Sequence, residues 1–233
     1  MTGRREERRP PPRSTALHDR LRLHVLTDRA LARGRSTAEV VTAALAGGAT
    51  VVQLRDKERT GATLVRVGHH LRALTRAHGG LLIVNDRVDV ALAIDADGAH
   101  VGQDDLPARE ARRLLGPDRL LGVSARTVEE VVRAAGEGAD YIGFGPVFPT
   151  ATKGDAGPPR GLEDLRRACR AVTVPIVAIG GITSDNVGDV LVAGAAGVAV
   201  IAAVVTAPDM AAATRTLREA IRDACRAAGA AGA

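Results

Sequence analysis

The amino-acid sequence predicts a single (β/α)8 barrel, a TIM barrel of the α/β class, on three observations. Eight short β-rich runs alternate strictly with eight longer amphipathic runs from about residue 20 onward, the pattern of a parallel sheet with helical crossovers. The count of eight and eight favours a closed barrel over an open sheet. The length of 233 residues is close to the ~250 typical of that fold.

In chain order, the first strand is read over residues 21–27 and its helix over 37–46. Ser36 with Glu39 three positions on has the spacing of a capping box, and Gly47-Gly48 offers a left-handed stop. Strand two, 50–54, leads to a helix over 62–77; strand three, 81–84, to a short helix over 88–93 that Asp86 is placed to cap. Strand four is read over 98–102 and its helix over 108–115. Strand five, 120–124, precedes a helix over 128–135 that opens on a second capping-box pair, Thr127 and Glu130, and stops at Gly138. Strand six, 141–145, is followed by a helix over 162–171. In strand seven, 175–179, Ile176-Val177-Ala178-Ile179 is continuously apolar, as a strand buried on both faces should be. A helix over 185–193 ends at Gly194, and strand eight, 197–201, is followed by a helix over 209–227. The barrel domain is thus read over 20–228, between a flexible basic Pro-rich tail (1–19) and a disordered end (229–233).

The net charge of +5 and pI near 10.1 invite a nucleic-acid reading, which the distribution of charge removes. Residues 1–13 hold five arginines against Glu6 and Glu7, a net of +3, so the other 220 residues carry only +2. The aromatics are Tyr141, Phe144 and Phe148 alone, too few for a base-stacking surface. The longest apolar run, from Gly194 to Val205, is shorter than the roughly 20 residues a membrane span needs. The arginine-bearing start has no apolar core of signal-peptide length. Cys169 and Cys225 match no metal spacing. These features predict a cytoplasmic enzyme with small-molecule partners and neither nucleic acid nor membrane; a homo-oligomer remains compatible with the sequence.

In a barrel of this kind chemistry lies at the C-terminal strand ends and the loops beyond them. Those ends hold Gln53-Leu54-Arg55-Asp56-Lys57, Asn85-Asp86-Arg87, Gly102-Gln103-Asp104-Asp105, Ser124-Ala125, the segment from Gly145 to Lys153, Gly180-Gly181 and Ile201-Ala202. Of 32 basic residues only Lys57 and Lys153 are lysine, and both are at these ends. Asp86 with Asp104 or Asp105 ends neighbouring strands, a carboxylate pair suited to Mg2+ completed by substrate phosphates. Arg55 and Lys57 alternate with Leu54 and Asp56, so one face offers two cations to a polyanion; the bland alternative is an ion pair with Asp56 or Glu58. Gly180-Gly181 before Thr183-Ser184-Asp185 predicts a second, backbone-lined phosphate site. His24 and His100 read as satisfied interior groups, Tyr141 and Phe144 as core. No nucleophile–His–acid set stands out, which favours charge stabilisation over covalent catalysis.

These motifs, with His100-Val101 before Gly102, Gly122-Val123-Ser124 and Ala178-Ile179-Gly180-Gly181-Ile182, resemble the thiamine-phosphate synthase family over residues 21–210, in family order. The resemblance implies joining 4-amino-2-methyl-5-(diphosphooxymethyl)pyrimidine to a thiazole phosphate with release of diphosphate and with Mg2+ as cofactor. It assigns Gln53 and Asn85 to the pyrimidine diphosphate, and Arg55, Lys57 and Ser124 to its diphosphate. Leu54 and Asp56 fall in the same stretch of substrate-binding residues. It gives Asp86 and Asp105 to the metal, and Thr150, Thr152, Gly181 and the Ile201-Ala202 backbone to the thiazole phosphate, with Ala151 between the threonines. Lys153 falls to the diphosphate between the substrates, so Lys153, Ser124, Arg55 and Lys57 are the expected catalytic groups. Ala202 stands where many relatives carry serine, which removes a hydroxyl and leaves backbone donors. A thiazole tautomerase-like relative on the same fold would lose Gln53, Arg55, Lys57, Asn85 and Asp86; all are present here.

Overall fold

A computed structural model describes residues 15–150, 152 and 157–231. Eight parallel strands close into a barrel in sequence order: β1 Leu23–Leu26, β2 Val51–Leu54, β3 Leu81–Asn85, β4 Gly98–Val101, β5 Leu120–Ala125, β6 Tyr141–Phe144, β7 Ile176–Ile179 and β8 Gly197–Val200. β8 returns to pair with β1, Leu23 opposite Val198. Each strand end falls within two residues of its predicted run. Around it lie α1 Thr15–Arg20, α2 Thr37–Ala46, α3 Gly61–Ala77, α4 Val88–Ala93, α5 Ala108–Leu115, α6 Val128–Gly136, α7 Gly161–Ala171, α8 Val187–Val192, α9 Ala202–Val205 and α10 Met210–Ala231.

Two of these helices are additions to the sequence reading. α1 occupies positions expected to belong to the tail, and its Leu17 packs against the core; the Arg- and Pro-rich stretch before it lies outside the described residues. α9 is a single turn directly after β8, too short to leave a helical period. At the far end, 229–231 continue the backbone of α10, where disorder was expected.

The Ser36–Glu39 box forms as predicted. The Thr127 box forms only in half: its hydroxyl accepts from Glu130 N, but the Glu130 carboxylate takes Arg126 N at 2.6 Å. Asp86 does not cap α4, whose N-cap is Arg87 with no side-chain cap bond.

The strands alternate inward and outward with period two. His24, Leu26, Gln53, His100, Ser124, Tyr141, Val177 and Ile179 point into the barrel, where they line a void of about 30 Å3. A Cβ on Gly122 would lie 2.2 Å from Tyr141 Cζ and 2.4 Å from His100 Nδ1, so the missing side chain is what admits this imidazole–phenol layer. At the opposite end, Asp97 just before β4 accepts from Leu82 N at 2.7 Å and pairs with Arg72 of α3. Asp140 just before β6 repeats the device with Leu121 N at 2.7 Å and Arg112 of α5.

Candidate active site

The C-terminal ends of the strands carry the predicted residues in two groups. On the β1–β2 side, Thr27 Oγ1 donates to Arg55 O at 3.0 Å and accepts from Arg55 N at 2.9 Å, stapling the two strand ends. The Arg55 guanidinium pairs with Asp28 at 2.8 Å, both nearly buried, not with Asp56 or Glu58 as the sequence alternative had it. The Asp56 carboxylate turns into its own loop, accepting from Glu58 N at 3.1 Å and Arg59 N at 3.2 Å, with Arg59 Nε 3.1 Å away. Leu54 is core, 1% exposed. Arg55, Lys57 and Arg29 face a cavity of about 310 Å3 with Asp28 and Glu58.

On the β5–β8 side a second cavity, of about 370 Å3, is lined by Ser124, Thr150, Thr152, Gly181, Ile201 and Ala202 among others. Gly181 has φ +64°, and a Cβ there would sit 2.6 Å from Pro149 O, so only glycine brings the β7 loop this close to the β6 loop. Asn186 closes the turn, donating to Gly181 O at 3.0 Å and accepting from Thr183 N at 2.9 Å. The first amides of α9, at Ala202 and Ala203, have no carbonyl of their own helix to bond, and both residues line this cavity. Arg126 also lines it; the sequence reading stopped at Ala125, one residue short along the same strand end. Ala151 and Lys153 lie outside the described residues.

Between the two groups stand the ends of β3, β4 and β5. Asp86 N donates to His100 O, and Arg87 N donates to Asn85 O, each at 2.7 Å. The second bond closes a γ-turn with Asp86 at its centre, φ +62°, a sparsely populated backbone region for any residue with a Cβ. Asp105 Oδ2 accepts from Gly102 N at 2.7 Å, leaving Oδ1 for another partner. Asp86 and Asp105 therefore follow adjacent strands, β3 and β4. Among the described residues no cluster of three or more His, Cys, Asp or Glu could hold a metal. Two carboxylates are suited in kind to a hard cation that completes its shell with water and phosphate oxygens.

Below this rim, His100 Nε2 is 2.9 Å from Ser124 Oγ and His100 Nδ1 is 3.1 Å from Tyr141 Oη. Gln53 and Tyr141 line the same interior void. Burial pushes the Tyr141 phenol well above its ordinary range. His100 is satisfied, as the sequence reading had it. His24 is not: its Nε2 is buried with no hydrogen-bond partner, while its ring packs on Tyr141 at 5.4 Å.

Fold and rim together define a (β/α)8-barrel enzyme with two cavities at one end. The family model described as thiamine monophosphate synthase matches residues 23–204. The thiamine-phosphate synthase of Moorella thermoacetica is 55% identical over 199 residues, 85% of this chain and 95% of that one. That of Chloroflexus aurantiacus is 56% identical over 197 residues, covering 84% and 91%. A solved structure of thiamine phosphate pyrophosphorylase from Pyrococcus furiosus superimposes with a TM-score of 0.83 at 44% identity, covering 89% of this chain and 98% of its own. The chain belongs to the thiamine monophosphate synthase family.

Proposed function

We propose that this transferase joins the pyrimidine diphosphate to the thiazole phosphate by dissociation and capture. The C–O bond between the pyrimidine methylene and the diphosphate breaks, and the leaving group carries away the electron pair. The resulting cation is delocalised by the ring amino group, and the thiazole nitrogen closes the new C–N bond with its lone pair. No general base is required; positioning and charge neutralisation carry the rate. The observation behind this reading is that the Arg55–Lys57 cavity and the Gly181–Ala202 cavity open at the same end of one barrel.

In this reading Gln53 and Asn85 orient the pyrimidine. Arg55, held by Asp28, joins Lys57, Lys153 and Ser124 on the departing diphosphate. Thr150, Thr152, Gly181 and the amides at Ile201-Ala202 hold the thiazole phosphate, with Leu54, Asp56 and Ala151 shaping the same loops. Asp86 and Asp105 hold Mg2+, which when bound supplies positive charge to the leaving-group oxygens. Substrates of this kind place the enzyme in the cytoplasm; no helix among the described residues is long and apolar enough to cross a membrane.

The test is diphosphate release on mixing both substrates with the full chain and Mg2+. Release that stops in excess chelator and returns with Mg2+ is expected; full activity in chelator would remove the metal from the scheme. Lys153→Ala is expected to slow turnover roughly 10²–10³-fold, the usual effect of losing one preorganised charge donor. A rate within about twofold of the parent would take Lys153 out of the diphosphate site.

A further inference from the structure

We propose that Gln53, Tyr141, His100 and Ser124 form a one-way hydrogen-bond chain that aims the Ser124 hydroxyl proton at the departing diphosphate, with Tyr141 and His100 as positioning residues. The inference rests on the reading above that Ser124 faces the diphosphate. Two contacts connect the last three members: Tyr141 Oη with His100 Nδ1 at 3.1 Å, and His100 Nε2 with Ser124 Oγ at 2.9 Å. All four side chains line the same interior void, and Ser124 also lines the rim cavity above it.

The direction follows from counting protons. Ser124 has one, and an anion needs it. Its bond to His100 must then be one in which Ser124 accepts, so His100 Nε2 carries the imidazole proton. A neutral ring has only one such proton, so Nδ1 accepts, and the donor to it is the Tyr141 hydroxyl. Tyr141 has then spent its single proton, so in the proposed chain the Gln53 amide N–H, which shares the void with the phenol, serves its oxygen as donor. Gln53 is left with its carbonyl oxygen as an acceptor, the group that a ring amino substituent would meet. Recognition of the pyrimidine amino group at one end would thereby hold the donor in place at the other. Neither Tyr141 nor His100 needs to touch a substrate, and the absent side chain of Gly122 lets the two rings meet.

Histidine-selective 15N labelling of the wild-type full chain reads the tautomer directly at neutral pH, with the His100 signals assigned by their loss in His100→Gln. A protonated Nε2 with an unprotonated Nδ1 is expected; a protonated Nδ1, or a doubly protonated ring, overturns the chain. Kinetics supply the second arm. Tyr141→Phe should lower turnover about three- to tenfold, the effect of one oriented hydrogen bond, with KM for the thiazole phosphate unchanged. Added to Ser124→Ala, it should cost nothing further, because it acts through Ser124; multiplicative losses overturn the proposal. His100→Gln, which keeps a donor within reach of Ser124, should retain more activity than His100→Leu, and equal losses count against it. A wild-type chain that makes no diphosphate would defeat the functional reading while leaving the tautomer measurement to decide the hydrogen-bond direction.

Discussion

Asp86→Gly is expected to lower turnover roughly 10²–10³-fold while the barrel melts no lower than its parent. The two effects separate because Asp86 stands at φ +62°, in a region that costs a residue with a Cβ about 1–3 kcal/mol. Aspartate is among the better-tolerated residues there. Glycine removes that strain at an unfolded-state entropy cost of about 0.5–1 kcal/mol. The carboxylate goes with the side chain, and in the proposed scheme it is one of two that hold Mg2+. Asp86→Ala makes the contrast: it should lose as much activity and melt lower, since alanine gains no freedom at positive φ. Paired thermal melts and steady-state rates check both variants. Asp86→Gly turning over within about threefold of the parent would show that the carboxylate has no part in the reaction.

Stability should fall as the solution is acidified from pH 6.5 towards 3, and His24 should account for a separable part of the slope. Burial holds this imidazole down at about 3 despite the backbone bond to Leu21 that works the other way. In the unfolded chain the same ring takes up its proton near 6.5. Above that pH both states are neutral and the contribution is constant. Below it the unfolded chain binds one more proton than the fold, which destabilises by up to about 1.4 kcal/mol per pH unit, roughly 5 kcal/mol across the window. His24→Phe, which keeps a ring against Tyr141, should flatten the curve by one proton between pH 6 and 4. Denaturant titrations of both proteins at several pH values measure it. Parallel curves would mean that His24 already carries its proton in the fold.

Much of the barrel was readable because its strands are buried on both faces, so runs such as Ile176 to Ile179 need no alternation to be recognised. Helix starts were legible where a local cap marks them, as at Ser36. What escaped was set by contacts distant in sequence or by elements too short to carry a period. Arg55 pairs with Asp28, 27 positions earlier, which no local spacing announces, and the neighbouring Asp56 and Glu58 looked better placed. α9 is one turn long, and α1 follows directly on an Arg- and Pro-rich stretch that masked it. At the rim, the strand-end rule brought Ser124, Thr150, Thr152, Gly181 and Ala202 to one cavity. It missed Arg126 by a single residue. The unsatisfied nitrogen of His24 is a property of the assembled interior, and nothing in the pattern of β1 distinguishes it from the satisfied His100.

The two carboxylate clamps at the lower end, Asp97 with Leu82 N and Asp140 with Leu121 N, have a consequence for how the molecule can vary. Each fixes the stagger of a strand pair by binding main chain, and each is anchored by an arginine from a helix on the outside. The offset that closes the cylinder is therefore set away from the ligands. Segments on the upper side can be lengthened, exchanged or re-aimed towards new phosphorylated compounds without loosening the frame that carries them.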